Sequence, residues 1–322
     1  MRRGSRKEET SKLDKRKYQG VIPAFYACYD DAGEISPERA RKLARHLVNK
    51  GVKGLYVGGS SGECIYQSKE ERMALLEAVM SEIKGECTVI AHIACNNTKD
   101  SQQLAAHAEM VGVDAIASIP PIYYRLPEYA IAQYWNDISD AAPKTDFIIY
   151  NIPQLAGTAL TPRLFKEMRK NPRMIGVKNS SMPTYDIEIF TRDAGGNSIV
   201  FNGPDKQFIS GRTSGAIGGI GGTYAVMPEL FLAMDRLIRK GRNKRAMIIQ
   251  HRVNVIIEQM CSCRGNLYAV CKEILRINEG LELGSVRRPM LGLFEEDNPK
   301  IEAAAGRIRK EIERLSDEEK EN

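Results

Sequence analysis

The sequence lacks the features that would commit it to a membrane, a metal or a dinucleotide. No apolar run approaches the roughly 20 residues needed to span a bilayer, because glycine, proline or charge breaks each one. The N-terminal stretch "MRRGSRKEETSKLDKRK" carries charge but no apolar core, so it does not read as a secretory signal. Histidine is scarce: the four are His46, His92, His107 and His251, and no two stand at His-x-x-x-His spacing. The seven cysteines (Cys28, Cys64, Cys87, Cys95, Cys261, Cys263 and Cys271) are odd in number, and the one close pair, Cys261 and Cys263, lacks a second pair to complete a zinc site. This usage fits free thiols in a reducing, cytoplasmic setting with no structural metal.

What the chain does have is ordinary globular material: 322 residues, 43% hydrophobic and 27% charged. The net charge of +6 would suggest nucleic acid if it were spread over the body, but residues 1–17 hold eight Lys/Arg against three Asp/Glu. The body is therefore nearly neutral. Residues 1–19 read as a solvated, poorly ordered basic tail, with a partner-binding arm as the lesser reading.

From residue 20 onward, short apolar or β-branched runs alternate with longer amphipathic ones. The strand candidates are "VIPAFYAC" (21–28), "GLYVGG" (54–59), "TVIAHIA" (88–94), "AIASIPP" (115–121), "DFIIYNIP" (146–153), "IGVKNSS" (175–181), "SIVFNG" (198–203) and "GAIGGIGG" (215–222). Helix signals separate them. Ser36 precedes Pro37 with Gly51 as the stop, and Ser68 stands at capping-box spacing from Glu71. Eight strands interleaved with helices imply parallel pairing through right-handed crossovers, and hence an α/β fold: a (β/α)8 TIM barrel over 20–240. An open doubly wound sheet is the runner-up, but the first strand is not followed by the Gly-x-Gly-x-x-Gly turn such a fold uses for dinucleotides. Of the helical segments at 228–240, 243–260, 266–278 and 297–316, one closes the barrel; the others exceed what it needs and predict a C-terminal helical extension, 241–322, packed on its side.

One strand ends on a lysine. "MIGVKNSSMP" delivers Lys178 after an apolar run, although lysine is among the least buried residues. Either the strand surfaces there, or the amine points into a cavity where burial lowers its pKa and makes it a nucleophile for carbonyl compounds. In a (β/α)8 barrel the chemistry sits at the C-terminal ends of the strands. Those ends read Gly58-Gly59-Ser60-Ser61-Gly62-Glu63, Pro120-Pro121-Ile122-Tyr123-Tyr124, Tyr150-Asn151-Ile152-Pro153, Lys178, Asn202-Gly203-Pro204-Asp205 and Gly218 to Gly222. Taken singly, each has a plain reading as a turn, a strand exit or a close-packing device. Together they place polar, glycine and tyrosine chemistry on one face around the lysine. Such a lysine can form a Schiff base with a ketone, Ser60 and Ser61 can hold a carboxylate from a glycine-rich turn, and a tyrosine on the fifth strand can move protons beside the sixth.

"GGSSGE", "YNIP" 28 residues before the lysine of "GVKNSS", and "GGIGGTY" resemble the N-acetylneuraminate lyase and dihydrodipicolinate synthase superfamily of class I pyruvate aldolases. The resemblance covers about residues 20–295. It implies a (β/α)8 barrel, a homotetramer, no cofactor or metal, and a pyruvate-like 2-oxo acid with an aldehyde as reactants. Lys178 would be the Schiff-base lysine and Tyr150 the proton-transferring tyrosine. Ser60 would link Tyr150 to a tyrosine from a neighbouring subunit, matching Tyr124. Ser61 would bind the substrate carboxylate, with Gly59, Ser180, Gly203, Asp205, Lys206 and Gly222 around the rest of the substrate.

The branch is read from departures. Synthases of this superfamily carry an arginine five residues after the YNxP tyrosine; here that residue is Leu155, as in the lyases. The lyases have an Asp-Glu pair where this chain has Asp205-Lys206, and a serine where it has Gly222. Lys206 is either a counter-ion for an anionic group on the aldehyde or a solvated surface cation. The reading is a lyase that cleaves N-acetylneuraminate or a related sugar acid to pyruvate and an aldehyde. The alternatives are synthase activity with aspartate semialdehyde and a pseudoenzyme that binds through its tail.

Overall fold

The computed structural model describes residues 13–320. Its eight strands are β1 (Val21–Pro23), β2 (Gly54–Val57), β3 (Thr88–His92), β4 (Ala115–Ser118), β5 (Asp146–Asn151), β6 (Met174–Asn179), β7 (Ile199–Asn202) and β8 (Gly218–Gly221). They form one parallel sheet in the order β1-β8-β7-β6-β5-β4-β3-β2. The ends meet where Ala24 bridges Tyr56 and the Phe25 N–H donates to the Tyr56 carbonyl at 2.9 Å, so the sheet closes into the expected barrel.

Nine helical segments cover the outside: α1 (Pro37–Asn49), α2 (Lys69–Ile83), α3 (Thr98–Val111), α4 (Glu128–Asp140), α5 (Pro153–Ala156), α6 (Pro162–Met168), α7 (Thr184–Asp193), α8 (Phe208–Thr213) and α9 (Pro228–Arg239). The starts follow the sequence signals. Ser36 accepts from the Arg39 N–H at the head of α1, and α2 has the full capping box, with Ser68 Oγ 3.1 Å from the Glu71 N–H and Glu71 Oε2 2.7 Å from the Ser68 N–H. The first strand is shorter than its apolar run. After Ala24 the backbone leaves the sheet, and Tyr29 donates to the Leu283 carbonyl at 2.9 Å, so residues 25–28 are buried as a connection beneath the C-terminal region. Burial on all sides, not pairing, explains that run.

The expected basic tail, residues 1–19, falls mostly outside the described residues, but its last part is structured. Lys15–Lys17 form a 3-10 turn, and Tyr18 is fully buried with its hydroxyl donating to Asp146 Oδ2 at 2.6 Å and to the Asp114 carbonyl at 3.0 Å. Asp146 opens β5 and Asp114 precedes β4, so Tyr18 closes the N-terminal end of the barrel, packed with Ile22, Ile148 and Ile199 of the interior.

Three helices follow: α10 (Asn243–Cys261), α11 (Leu267–Glu279) and α12 (Asn298–Lys320). In α10 the Gln250 side chain bonds the Ile209 N–H at 3.1 Å and the Asp205 carbonyl at 3.1 Å. In α11 Lys272 reaches Glu63 in the loop after β2. Among the described residues no helix is long and apolar enough to cross a membrane, no group of three His, Cys, Asp or Glu is placed to hold a metal, and all seven cysteines are free.

Candidate active site

Strand register builds the centre of the site. In the parallel β5–β6 pair, Tyr150 stands opposite Lys178 and Asn151 opposite Asn179. Simple alternation from Ile175, which lies in the barrel interior, would turn Lys178 outward. A register shift facing Phe147 and Ile148 resets the alternation, so Val177 joins the outer core and Lys178 points inward. The outward pair locks this register: Asn151 Nδ2 donates to Asn179 Oδ1 at 2.7 Å, Asn179 Nδ2 donates to Ser181 Oγ at 2.8 Å, and Asn151 Oδ1 accepts from the Leu160 N–H at 2.9 Å.

Lys178 is 4% exposed, and its Nζ lies 3.8 Å from the Tyr150 ring centroid and 4.0 Å from that of Tyr56. No carboxylate pairs with it among the described residues. Two aromatic faces hold the nitrogen by cation–π attraction and leave its donors unclaimed, where a salt bridge would have occupied them. The two rings meet edge to face at 5.8 Å, with the His92 ring 5.9 Å from Tyr150. Burial, aided by the charges of Arg72 and Lys178, pushes His92 well below its ordinary pKa. A neutral His92 donates through Nδ1 to the Gly58 carbonyl at 3.0 Å and thereby fixes the start of the turn after β2.

That turn carries the two serines of the glycine-rich segment. Gly58 has φ of +72°, and a 3-10 turn over Ser60–Gly62 follows, closed by the Gly62 and Glu63 N–H groups bonding back to Gly59 and Ser60. Those bonds leave the Ser60 and Ser61 N–H groups outside the turn's own pairing, which suits a carboxylate. Glu63, with φ of +56°, is buried: it accepts from Lys272 Nζ at 3.0 Å, from the Arg287 N–H at 2.8 Å and from the Tyr29 hydroxyl at 3.3 Å. A cleft of about 300 Å³ behind Lys272, lined by Asp31, Arg39, Glu273 and Arg276 among others, does not reach Lys178.

The remaining predicted residues divide. Ser180 and Gly203 are in contact: a Cβ on Gly203 would fall 1.9 Å from Ser180 Oγ. Asp205 has both carboxylate oxygens engaged, Oδ1 by the Gly222 N–H at 3.1 Å and Oδ2 by the Thr223 N–H and hydroxyl at 2.7 Å each, so it clasps the glycine-rich turn after β8. Burial raises the pKa of Asp205 and these bonds oppose the rise. Lys206 is exposed and makes no ion pair among the described residues. Tyr124 is 74% exposed, packs edge-on against Tyr123, and makes no hydrogen bond to Ser60 or Tyr150 of its own chain. Sequence reading missed Tyr56, His92 and Tyr268. Tyr56 was visible in principle, two residues before Gly58 and so on the inward face of β2; Tyr268 had no local signal.

A model of the dihydrodipicolinate synthetase family matches residues 17–308. The chain belongs to this family. Among its relatives, an N-acetylneuraminate lyase of Mediterraneibacter gnavus is 64% identical over 292 residues, covering 91% of this chain and 93% of the relative. An N-acetylneuraminate lyase of Enterobacter sp. (strain 638) is 32% identical over 293 residues, 91% of this chain and 98% of its own. The solved wild-type sialic acid aldolase of Ruminococcus gnavus superposes with a TM-score of 0.91 at 63% identity, covering 93% of this chain and 99% of that one. The barrel with its C-terminal helices is thus the dihydrodipicolinate synthetase family fold, and the chain is similar to the lyase members over nearly its whole described length.

Proposed function

We propose that the protein is an N-acetylneuraminate lyase, a class I aldolase that cleaves the sugar acid to pyruvate and N-acetylmannosamine through a Schiff base on Lys178. The observation that carries the reading is the Lys178 nitrogen, buried without a carboxylate partner between the Tyr56 and Tyr150 rings at the barrel mouth. The amine adds to the 2-oxo carbonyl and water leaves, giving a protonated imine. That cation draws the electrons of the bond one carbon further out, while the neighbouring hydroxyl loses its proton and the aldehyde departs. The resulting enamine takes a proton on carbon, and water releases pyruvate from Lys178. Tyr150, one strand away in register, is the group placed to carry these protons. The Ser60–Ser61 turn binds the carboxylate, Gly59, Ser180 and Gly203 line the substrate, and no organic cofactor takes part. Leu155 offers no cation for a second substrate carboxylate, which favours the lyase over the synthase.

The same reading places the enzyme in the cytoplasm as a homotetramer. Tyr123 holds a φ of +85°, strained for a bulky residue, and Tyr123, Tyr124, Leu155, Met182 and Tyr185 are all exposed on the segments that follow β4, β5 and β6. A second copy covering this surface would bring its Tyr124 toward Ser60 and Tyr150. Asp205 and Lys206 stand at the sugar end, Asp205 by shaping the Gly222 turn. The test is borohydride reduction with pyruvate followed by peptide mass analysis, with N-acetylneuraminate cleavage assayed against aspartate-semialdehyde condensation. A pyruvate adduct on Lys178 with cleavage activity is expected; a folded protein that traps no pyruvate overturns the reading.

A further inference from the structure

The loop that would hold the substrate carboxylate is gripped from outside the barrel by two residues of α11, one helical turn apart. Lys272 bonds Glu63, and Tyr268, four residues earlier and on the same helix face, turns its hydroxyl into the space beside Gly222 that the Ser61 hydroxyl also borders. The meeting point is defined by Gly222: a Cβ placed there would lie 3.2 Å from Ser61 Oγ and 3.2 Å from the Tyr268 hydroxyl, so the absent side chain leaves the space in which the two hydroxyls converge. The junction is braced. The Tyr26 hydroxyl donates to the Gly222 carbonyl at 2.7 Å, and the Tyr26 and Tyr268 rings pack with centroids 5.9 Å apart. Asn266 starts the helix by accepting from the Tyr268 N–H at 2.9 Å, which fixes the backbone that carries the ring. Burial raises the Tyr268 pKa and keeps the phenol protonated, while the Ser61 hydroxyl acts on it in the opposite sense.

We propose that Tyr268 is a positioning residue of the carboxylate site: its protonated hydroxyl donates to Ser61 and aims that hydroxyl at the carboxylate of the bound 2-oxo acid. This rests on the Schiff-base reading above. The C-terminal extension then sets substrate affinity and is more than a packing element. A donor of this kind acts on the ground state and the transition state alike, so its loss appears in KM and not in kcat.

The experiment compares wild type, Tyr268→Phe, Ser61→Ala and the double variant. Phenylalanine keeps the ring against Tyr26 and deletes only the hydroxyl. For Tyr268→Phe we expect KM for N-acetylneuraminate, and the pyruvate concentration for half-maximal borohydride trapping, to rise about 5- to 10-fold, the worth of one hydrogen bond. We expect kcat within about twofold of wild type, in line with uniform binding. Trapping of hydroxyacetone, a ketone with no carboxylate, should be unchanged by the substitution. Because Tyr268 acts through Ser61, the double variant should match Ser61→Ala, not the product of the two effects. Pyruvate affinity unchanged in Tyr268→Phe, equal losses for pyruvate and hydroxyacetone, or additive effects in the double variant would each overturn the proposal while leaving the Schiff base intact. A wild-type protein that traps no pyruvate would overturn both.

Discussion

Replacing Lys272 with methionine removes the cation of a buried ion pair while keeping most of its length. Glu63 has no exposed side-chain surface and Lys272 only 3%, so neither charge has water to fall back on. Breaking a buried pair by removing one partner costs about 3–5 kcal/mol, because the other charge stays behind. Glu63 would keep the Arg287 N–H at 2.8 Å and the Tyr29 hydroxyl at 3.3 Å, which puts the cost toward the lower figure. Burial already lowers the Lys272 pKa and the Glu63 carboxylate opposes that, as expected of a pair whose members depend on each other. At roughly 2–4 °C per kcal/mol for a chain somewhat shorter than this one, Lys272→Met should lower the melting temperature by about 6–12 °C. The double variant Glu63→Gln/Lys272→Met leaves no buried charge and should recover more than half of the loss. Thermal unfolding followed by circular dichroism, with urea titration as a second measure, reads both. If Lys272→Met melts within about 2 °C of wild type, the premise of a desolvated charge left unpaired is wrong.

Lys178→Ala is expected to abolish both borohydride trapping and turnover, whereas Tyr150→Phe should leave trapping measurable and slow turnover by a factor on the order of 10²–10⁴; single-turnover kinetics separate the two. Asn179→Ala strands the Asn151 amide in a buried position and should cost about 1–3 kcal/mol in urea unfolding, with kcat falling as the Tyr150–Lys178 register loosens. The Asp297 carboxyl is held below its ordinary pKa by the Arg264 and Gly265 N–H groups, at 2.8 and 2.9 Å. A depressed folded pKa means stability that is present above about pH 4 and lost as pH falls through the folded value. Asp297→Asn should therefore be less stable than wild type at pH 7 and lose less on acidification; parallel curves would refute this. Deleting residues 1–12 should leave cleavage of N-acetylneuraminate unchanged, whereas a protein that works through its tail would lose its partner.

The barrel was legible because its information is local. Each strand announces itself by a short apolar run, and each helix by caps such as Ser36 and Ser68 that act within four residues. Lys178 and Tyr150 were legible for a related reason: "YN" and "KN" are the same register position on adjacent strands, so the pairing of Tyr150 with Lys178 repeats in Asn151 with Asn179. The Tyr268–Ser61 approach and the Glu63–Lys272 pair were not legible, since about 200 residues separate the partners and no periodicity records a contact made only when α11 packs beside the loop after β2. Asp205 shows a third case. Its position at the end of β7 was foreseeable, but its use was not, because the N–H groups that occupy it belong to the backbone after β8.

Tyr18 gives the molecule a direction. The chain comes in through the sealed end of the barrel, where the tyrosine hydroxyl is fastened to Asp146, while Lys178 stands near the other end of the neighbouring strand. A tether, dye or carrier surface joined ahead of Leu13 would therefore be attached on the blind side, and immobilised molecules would face the solution with their openings free. Joining the same tether within the Tyr123–Leu155 region would instead crowd the opening itself.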